Sequence, residues 1–193
     1  MTKVPGKKPS NTLRIIGGEW RHRKITFCDG PGLRPTQDRI RETLFNWLMF
    51  EVEGAVCLDM FAGSGALGFE ALSRGARHVT FVDSSPKVLQ TIQQNADVLK
   101  ASRFDLVLGT CPQHVPPLSN APFDIAFLDA PFHQGLINPT VAWLQQSGYL
   151  NPDAWIYFEI EKGGPPLQTP QEWIQHRHKE TASLDYYLYK SQD

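Results

Sequence analysis

The stretch LDMFAGSGALGFEALSRGA, Leu58–Ala76, decides the fold. An apolar run from Val56 ends in Asp59, Gly63 and Gly65 make a tight turn, and residues 66–74 then read as a helix. A strand that turns through glycine into a helix is the opening unit of an open α/β sheet, so strands and helices should alternate after it. Apolar strands are predicted over 56–60, 79–83, 105–109, 124–129 and 154–159, with helical stretches over 66–74, 86–99 and 139–147 between them. Crossovers of this kind imply parallel strands covered on both faces. Beyond Gly163-Gly164-Pro165-Pro166, the runs 173–180 and 184–190 are separated only by Thr181-Ala182-Ser183, which permits a hairpin and no helical crossover. The expected architecture is α/β and Rossmann-like: a mostly parallel seven-stranded sheet with an antiparallel C-terminal hairpin.

Upstream of this unit the chain has a different character. Residues 1–41 hold ten Lys/Arg against three Asp/Glu, a net of +7, which leaves −8 for the rest of a chain whose total is −1. Residues 1–12 read as a basic disordered tail. Arg14 to Phe27 reads as two short strands around Gly17-Gly18, or as a bent ribbon. Thr36 then looks like the N-cap of a helix whose Ile40, Leu44, Trp47 and Leu48 share a face, with Arg39 and Glu42 off it. The division expected is tail 1–12, basic ribbon and helix 13–50, and catalytic domain 51–193. A basic, partly folded arm beside an acidic body points to a polyanion, nucleic acid being the commonest, with Arg21, Arg23, Lys24, Arg34 and Arg39 as phosphate contacts.

With 193 residues, 41% hydrophobic and 11% aromatic, the chain can bury one sizeable core. No apolar run approaches the ~18–20 residues of a membrane span, and the basic start has no apolar segment after it, so a cytoplasmic protein is expected. Cys28, Cys57 and Cys111 lack metal or redox spacing and read as inert thiols; no metal site is expected. His22, His114, His133, His176 and His178 read as surface residues, and Trp20 and Trp47 as packing residues.

Gly63 to Gly68 formally matches G-x-G-x-x-G, and Asp83 follows at the spacing of a ribose-binding acid. A nicotinamide or flavin site is one reading, and an empty strand-to-helix turn is another. Asp59 speaks against a pyrophosphate, which gains nothing from an anion four residues before the glycine. S-adenosylmethionine carries a sulfonium, an ammonium and a ribose diol but no phosphate, and it accounts for both acids. Asp59 would meet the ammonium, Asp83 the ribose hydroxyls, and Thr110 would approach the adenine, with Phe61, Gly63 and Gly65 forming the turn.

The strand at 124–129 ends in Asp129-Ala130-Pro131-Phe132. A plain turn would use the same residues. A base clamp uses them more fully: the Asp129 carboxylate and the Ala130 carbonyl accept from an exocyclic amino group, Pro131 biases the preceding residue to extended geometry, and Phe132 offers a stacking face.

RIIGGEWRHRKI, GLRPTQDRIRETLFNWL, LDMFAGSGALGFEALSRGA, FVD, FLDAPF and the closing YYLYK together resemble the RsmD family, bacterial guanine-N2 methyltransferases of small-subunit (16S) ribosomal RNA, from about Leu13 to Lys190. The resemblance implies a class I S-adenosylmethionine-dependent methyltransferase fold, with Asp129 and Phe132 in the base clamp. The sequence departs from the family pattern at Ala130, where a first proline is usual, at Ser85, where a second acid often follows the ribose acid, and at Thr110, where Asp or Asn is commoner. The expected partner is small-subunit ribosomal RNA or a ribosomal particle containing it, met by a monomer. Two alternatives stand beside this reading: methylation of DNA adenine or protein glutamine amino groups, and a non-catalytic RNA-binding or assembly factor on the same fold.

Overall fold

The structure, a computed structural model, describes residues 11–27 and 38–192. Residues 1–10 of the basic tail, Cys28, Arg34 and the expected cap Thr36 lie outside them. Thirteen elements follow one another among the described residues: β1 (Thr12–Arg14), β2 (Lys24–Thr26), α1 (Asp38–Trp47), β3 (Val56–Asp59), α2 (Ala66–Ser73), β4 (His78–Asp83), α3 (Pro86–Leu99), β5 (Phe104–Leu108), β6 (Phe123–Leu128), α4 (Ile137–Gln146), β7 (Leu150–Glu161), β8 (Trp173–Glu180) and β9 (Leu184–Ser191).

Seven strands form one sheet in the order β5-β4-β3-β6-β7-β9-β8. Pairs from β5 through β7 are parallel, while β9 runs antiparallel to both β7 and β8. The sheet is therefore the one the alternation predicts, hairpin included. Differences are local. β7 extends from residue 150 to 161, beyond the expected 154–159, and α4 starts at Ile137, two residues before Pro139. Proline is accommodated there because a first-turn amide has no acceptor within the helix.

Strand alternation splits the core into two layers. Cys57, Ile125, Phe127 and Tyr157 face α1, α2 and α3, whereas Leu58, Ala126, Leu128 and Phe158 face α4. On the first face Phe45 of α1 packs on Phe127, and Trp47 stacks on Tyr186. Buried Trp20 and half-buried Trp47 are thus packing residues, as read from the sequence.

The ribbon β1–β2 is antiparallel and only three residue pairs long, too short to stand alone. Its Leu13, Ile15, Trp20 and Ile25 belong to the same core as α1, α2 and α3, so the described parts of 13–50, residues 13–27 and 38–50, are packed into the sheet domain. Ordered pairing also begins before residue 13: Thr12 opens β1, and the Asn11 carbonyl accepts the Phe27 amide. Glu70, with 0% exposure, anchors the connection between the strands. It accepts the Ile16 and Gly17 amides at 2.8 Å each and Arg74 Nε at 2.8 Å, with Arg41 Nη1 3.7 Å away. Four cationic or N–H partners offset the cost of burying that carboxylate. Arg41, part of the N-terminal positive charge, is itself fully buried and bonds the Arg14 carbonyl and Asp38.

Candidate active site

β3 sends its chain to β4 on one side, while β6 lies on its other side, so the sheet order reverses between β3 and β6. Ligands of open α/β sheets bind at such a reversal, beyond the carboxyl ends of the strands. Asp59 ends β3, Asp83 ends β4 and Asp129 follows β6. The register pairs Asp59 with Phe127, which puts Asp59 and Asp129 on the same face of adjacent strands.

Asp59 is 2% exposed and accepts the Gly68 amide at 3.0 Å. Burial holds its carboxyl well above the ordinary range; the Gly68 bond opposes this, and the Asp129 and Asp83 charges add to it. Asp83 is half-buried, and each of its oxygens takes one backbone amide, Gly63 at 2.9 Å and Ser85 at 2.8 Å. A carboxylate oxygen has a second lone pair, so both remain able to accept from a diol. Ser85, which departs from the family pattern, is the N-cap of α3, its hydroxyl accepting the Val88 amide at 3.4 Å.

The glycine turn joins these acids. Gly65 has φ 73 and caps α2 without a side chain, so the first-turn amides find other acceptors, Ala66 the Ser64 hydroxyl at 3.3 Å and Gly68 the Asp59 carboxylate. A Cβ there would lie 2.9 Å from the Phe69 ring, so shape and conformation both require glycine. Gly63 has φ 50, and half-buried Phe61 precedes it. At Gly68 a Cβ would penetrate the Phe81 ring, which fixes how closely α2 lies on β4.

Beyond β6, Asp129 is half-buried, Ala130 is buried, Pro131 is half-buried and Phe132 is 37% exposed beside a pocket shared with Leu136, Ile137 and Glu161. His133 holds φ 62, and Glu161 accepts its backbone amide at 2.9 and 2.8 Å and faces its Nδ1 at 3.0 Å. Thr110 is exposed and pairs with His114 in an isolated bridge, Thr110 N to His114 O at 2.9 Å and the reverse at 2.7 Å.

The exposed basic residues of the ribbon sit elsewhere. Arg23 Nη2 donates to the Val98 carbonyl at 2.5 Å, and Thr26 bonds Asn95, near the C-terminal end of α3. α3 begins beside Asp83, so its rise separates Arg23 from the acids by about 20 Å. Arg21 and Lys24 are exposed on the same ribbon, and Arg39 is exposed at the start of α1. On the C-terminal hairpin His178, Glu180 and Asp185 cluster, and Lys162 Nζ supplies the local cation, 2.7 Å from Glu180 and 3.1 Å from Asp185.

The family described as Conserved hypothetical protein 95 matches residues 13–190. Ribosomal RNA small subunit methyltransferase D of Haemophilus influenzae is 41% identical, covering 99% of this chain and 100% of that protein. The chain belongs to the RsmD family. The Escherichia coli K12 protein of the same name is 43% identical over 97% of this chain and 94% of its own. The solved structure of yhhF from Escherichia coli superposes with a TM-score of 0.84 at 42% identity, covering 94% of this chain and 98% of that one.

One residue of this RsmD-family site escapes any motif in the sequence. Glu159, 3% exposed, ends the apolar run of β7 beside Asp129 and accepts the Tyr157 hydroxyl at 2.8 Å. Its signal was a carboxylate closing a buried parallel strand, the same signal that marks Asp59 and Asp83.

Proposed function

We propose that this protein is an S-adenosylmethionine-dependent methyltransferase that methylates the exocyclic N2 amino group of a guanine in small-subunit ribosomal RNA. The observation that carries the reading is the convergence of Asp59, Asp83 and Asp129 at the reversal of the sheet, with Phe132 partly exposed beside them. A site with three acids and an open glycine turn suits a cationic ligand with hydroxyls and repels a pyrophosphate. The two relatives named for small-subunit ribosomal RNA methylation supply the substrate class.

Asp59 and Asp83 would hold the ligand through its ammonium and ribose hydroxyls, and the turn at Gly63 and Gly65 would let it approach the backbone. Bound there, S-adenosylmethionine supplies an electrophilic methyl group on a sulfonium. The chain's own part is alignment. Asp129 and the Ala130 carbonyl accept the amino protons and so favour the pyramidal nitrogen of the transition state, while Phe132 stacks on the base. The base must leave its stack to reach them. Arg21, Arg23 and Lys24 of the ribbon grip phosphates several nucleotides from the target, consistent with the distance between Arg23 and the acids, and Arg34 and Arg39 add phosphate contacts. The enzyme works as a cytoplasmic monomer on ribosomal RNA or a particle that contains it.

Incubation of purified small-subunit RNA, and separately of subunit particles, with labelled S-adenosylmethionine, followed by nucleoside mass spectrometry, tests this. N2-methylguanosine is expected. Label in DNA adenine or protein glutamine instead, or RNA binding with no transfer, would replace the reading with one of its rivals.

A further inference from the structure

Where β6 stops, its neighbour goes on. The β6–β7 register ends with Leu128 opposite Phe158, whereas β7 continues to Glu161 and is held along its far side by β9, Glu159 opposite Tyr186 and Glu161 opposite Leu184. Residues 129–132 thus leave the sheet beside a strand that is itself fixed, and Ala130, Pro131 and Phe132 share a pocket with Glu159, Ile160 and Glu161 of that overhang. Pro131 has no amide with which to extend the ladder. A side chain holds the segment instead. Both oxygens of Glu161 accept the His133 amide, Oε1 at 2.9 Å and Oε2 at 2.8 Å, and Oε2 lies 3.0 Å from His133 Nδ1. The Glu161 side chain is 15% exposed, so water competes little for these bonds, and the neighbouring cation is directed elsewhere, Lys162 Nζ lying against Glu180 and Asp185.

The amide that Glu161 holds belongs to a residue in an unfavoured conformation. His133 has φ 62, which a residue with a Cβ seldom adopts, and Gly135 turns the chain the same way at φ 63. Released from its acceptor, the His133 peptide would relax toward negative φ and carry the adjoining Phe132 with it. The opposite wall of the pocket is tied in the same manner: Asn138 of α4 donates its Nδ2 to the Pro166 carbonyl at 2.9 Å and accepts the Gln168 amide on Oδ1 at 2.9 Å. We infer that Glu161 is a positioning residue for the methyl transfer: by holding the His133 amide it keeps the left-handed turn that aims Phe132 and the Ala130 carbonyl at the base. Its action runs through the loop and needs no contact with base or cofactor. Because a misplacement of about 1 Å can cost about 10²-fold in rate, a bond one residue beyond the stacking ring has leverage on turnover that its place at the rim does not suggest.

The inference rests on the function proposed above, and its test separates the two. Hydrogen–deuterium exchange across residues 130–135 of the free protein should quicken by roughly tenfold in Glu161→Ala and stay as in wild type in Glu161→Gln, whose amide oxygen still accepts from His133. In single-turnover methylation of small-subunit RNA, Glu161→Ala should slow transfer at saturating RNA by about 10- to 100-fold while the dissociation constants for RNA and for S-adenosylmethionine stay within about threefold of wild type. Glu161→Gln should recover most of that rate. His133→Asn, which keeps the backbone amide, tolerates positive φ and lacks the imidazole, should transfer within a few-fold of wild type, about as Glu161→Gln does. Wild-type transfer by Glu161→Ala, a loss in Glu161→Gln as deep as in Glu161→Ala, or unchanged exchange across 130–135 would overturn the inference. If wild type methylates another substrate, only the assigned function falls, and the same comparison of rates is read on that substrate; if wild type binds RNA and transfers nothing, both fall.

Discussion

Asp59→Asn separates what the site does for its ligand from what it does for the fold. The asparagine oxygen can still accept the Gly68 amide that Asp59 takes at 3.0 Å, so the bond between strand and helix is kept. The negative charge is lost. A hydrogen bond to a charged partner contributes about 1.5–3 kcal/mol, so S-adenosylmethionine should bind roughly 10- to 100-fold more weakly. Stability should move the other way. The folded protein holds the Asp59 carboxyl well above its ordinary value, chiefly through burial, so the acid form is the one the fold favours. That contribution is complete below the ordinary carboxyl range and declines as pH rises through the folded-state value. Asparagine has no proton to lose, so at neutral pH the variant should melt at the same temperature as wild type or higher. Wild-type binding should release protons and tighten with rising pH, because a cationic ligand favours the ionised acid, and the variant should lose that dependence. Titration calorimetry in buffers of different ionisation enthalpy, beside thermal melts, measures both. A variant that binds as tightly as wild type, or one that binds weakly only because it melts lower, refutes the assignment of Asp59 to the ligand's ammonium.

Asp129→Ala should reduce turnover by roughly 10²-fold or more while leaving S-adenosylmethionine affinity within a few-fold, since the missing acceptor acts on the amino group; single-turnover rates and calorimetry check this. Gly68→Ala should destabilise by about 1–3 kcal/mol in urea unfolding, because the added methyl meets the Phe81 ring and α2 must lift off β4. Replacing Arg21, Arg23, Lys24 and Arg39 together by alanine should weaken RNA binding and flatten its salt dependence, the log–log slope falling by about 0.7–0.9 for each of these side chains that neutralises a phosphate; an unchanged slope would place the ribbon outside the interface.

The sheet was legible because its central strands are apolar runs that end in acid or glycine, and because three residues between 180 and 184 leave room only for a hairpin. Asp59, Asp83 and Asp129 were legible for the same reason, as charges placed where an apolar run stops. Arg41 and Glu70 were not. Their burial follows from α1 and the ribbon both landing on α2, the ribbon from more than fifty positions away, a meeting of segments that no local period records. Glu159 was hidden differently. It sits in FEIEK, where Glu161 follows on the same side of the strand and a second acid makes the pair look like a solvated end. Only the register with β6 separates the buried acid beside Asp129 from the one that holds His133.

The strand that follows β8 in the chain is an interior strand of the sheet. β9 lies between β7 and β8, and its Ser191 pairs with Trp173 while its hydroxyl reaches the Asn151 and Ala154 carbonyls at 3.4 Å. Until Leu184–Ser191 are in place the sheet has a missing slat, and β8 has no strand to pair with. A chain cut short at position 184 would therefore strand β8 altogether. For anyone expressing the protein, an affinity tag fused directly after Ser191 would crowd the closing strand, whereas one joined through a flexible spacer would let it seat.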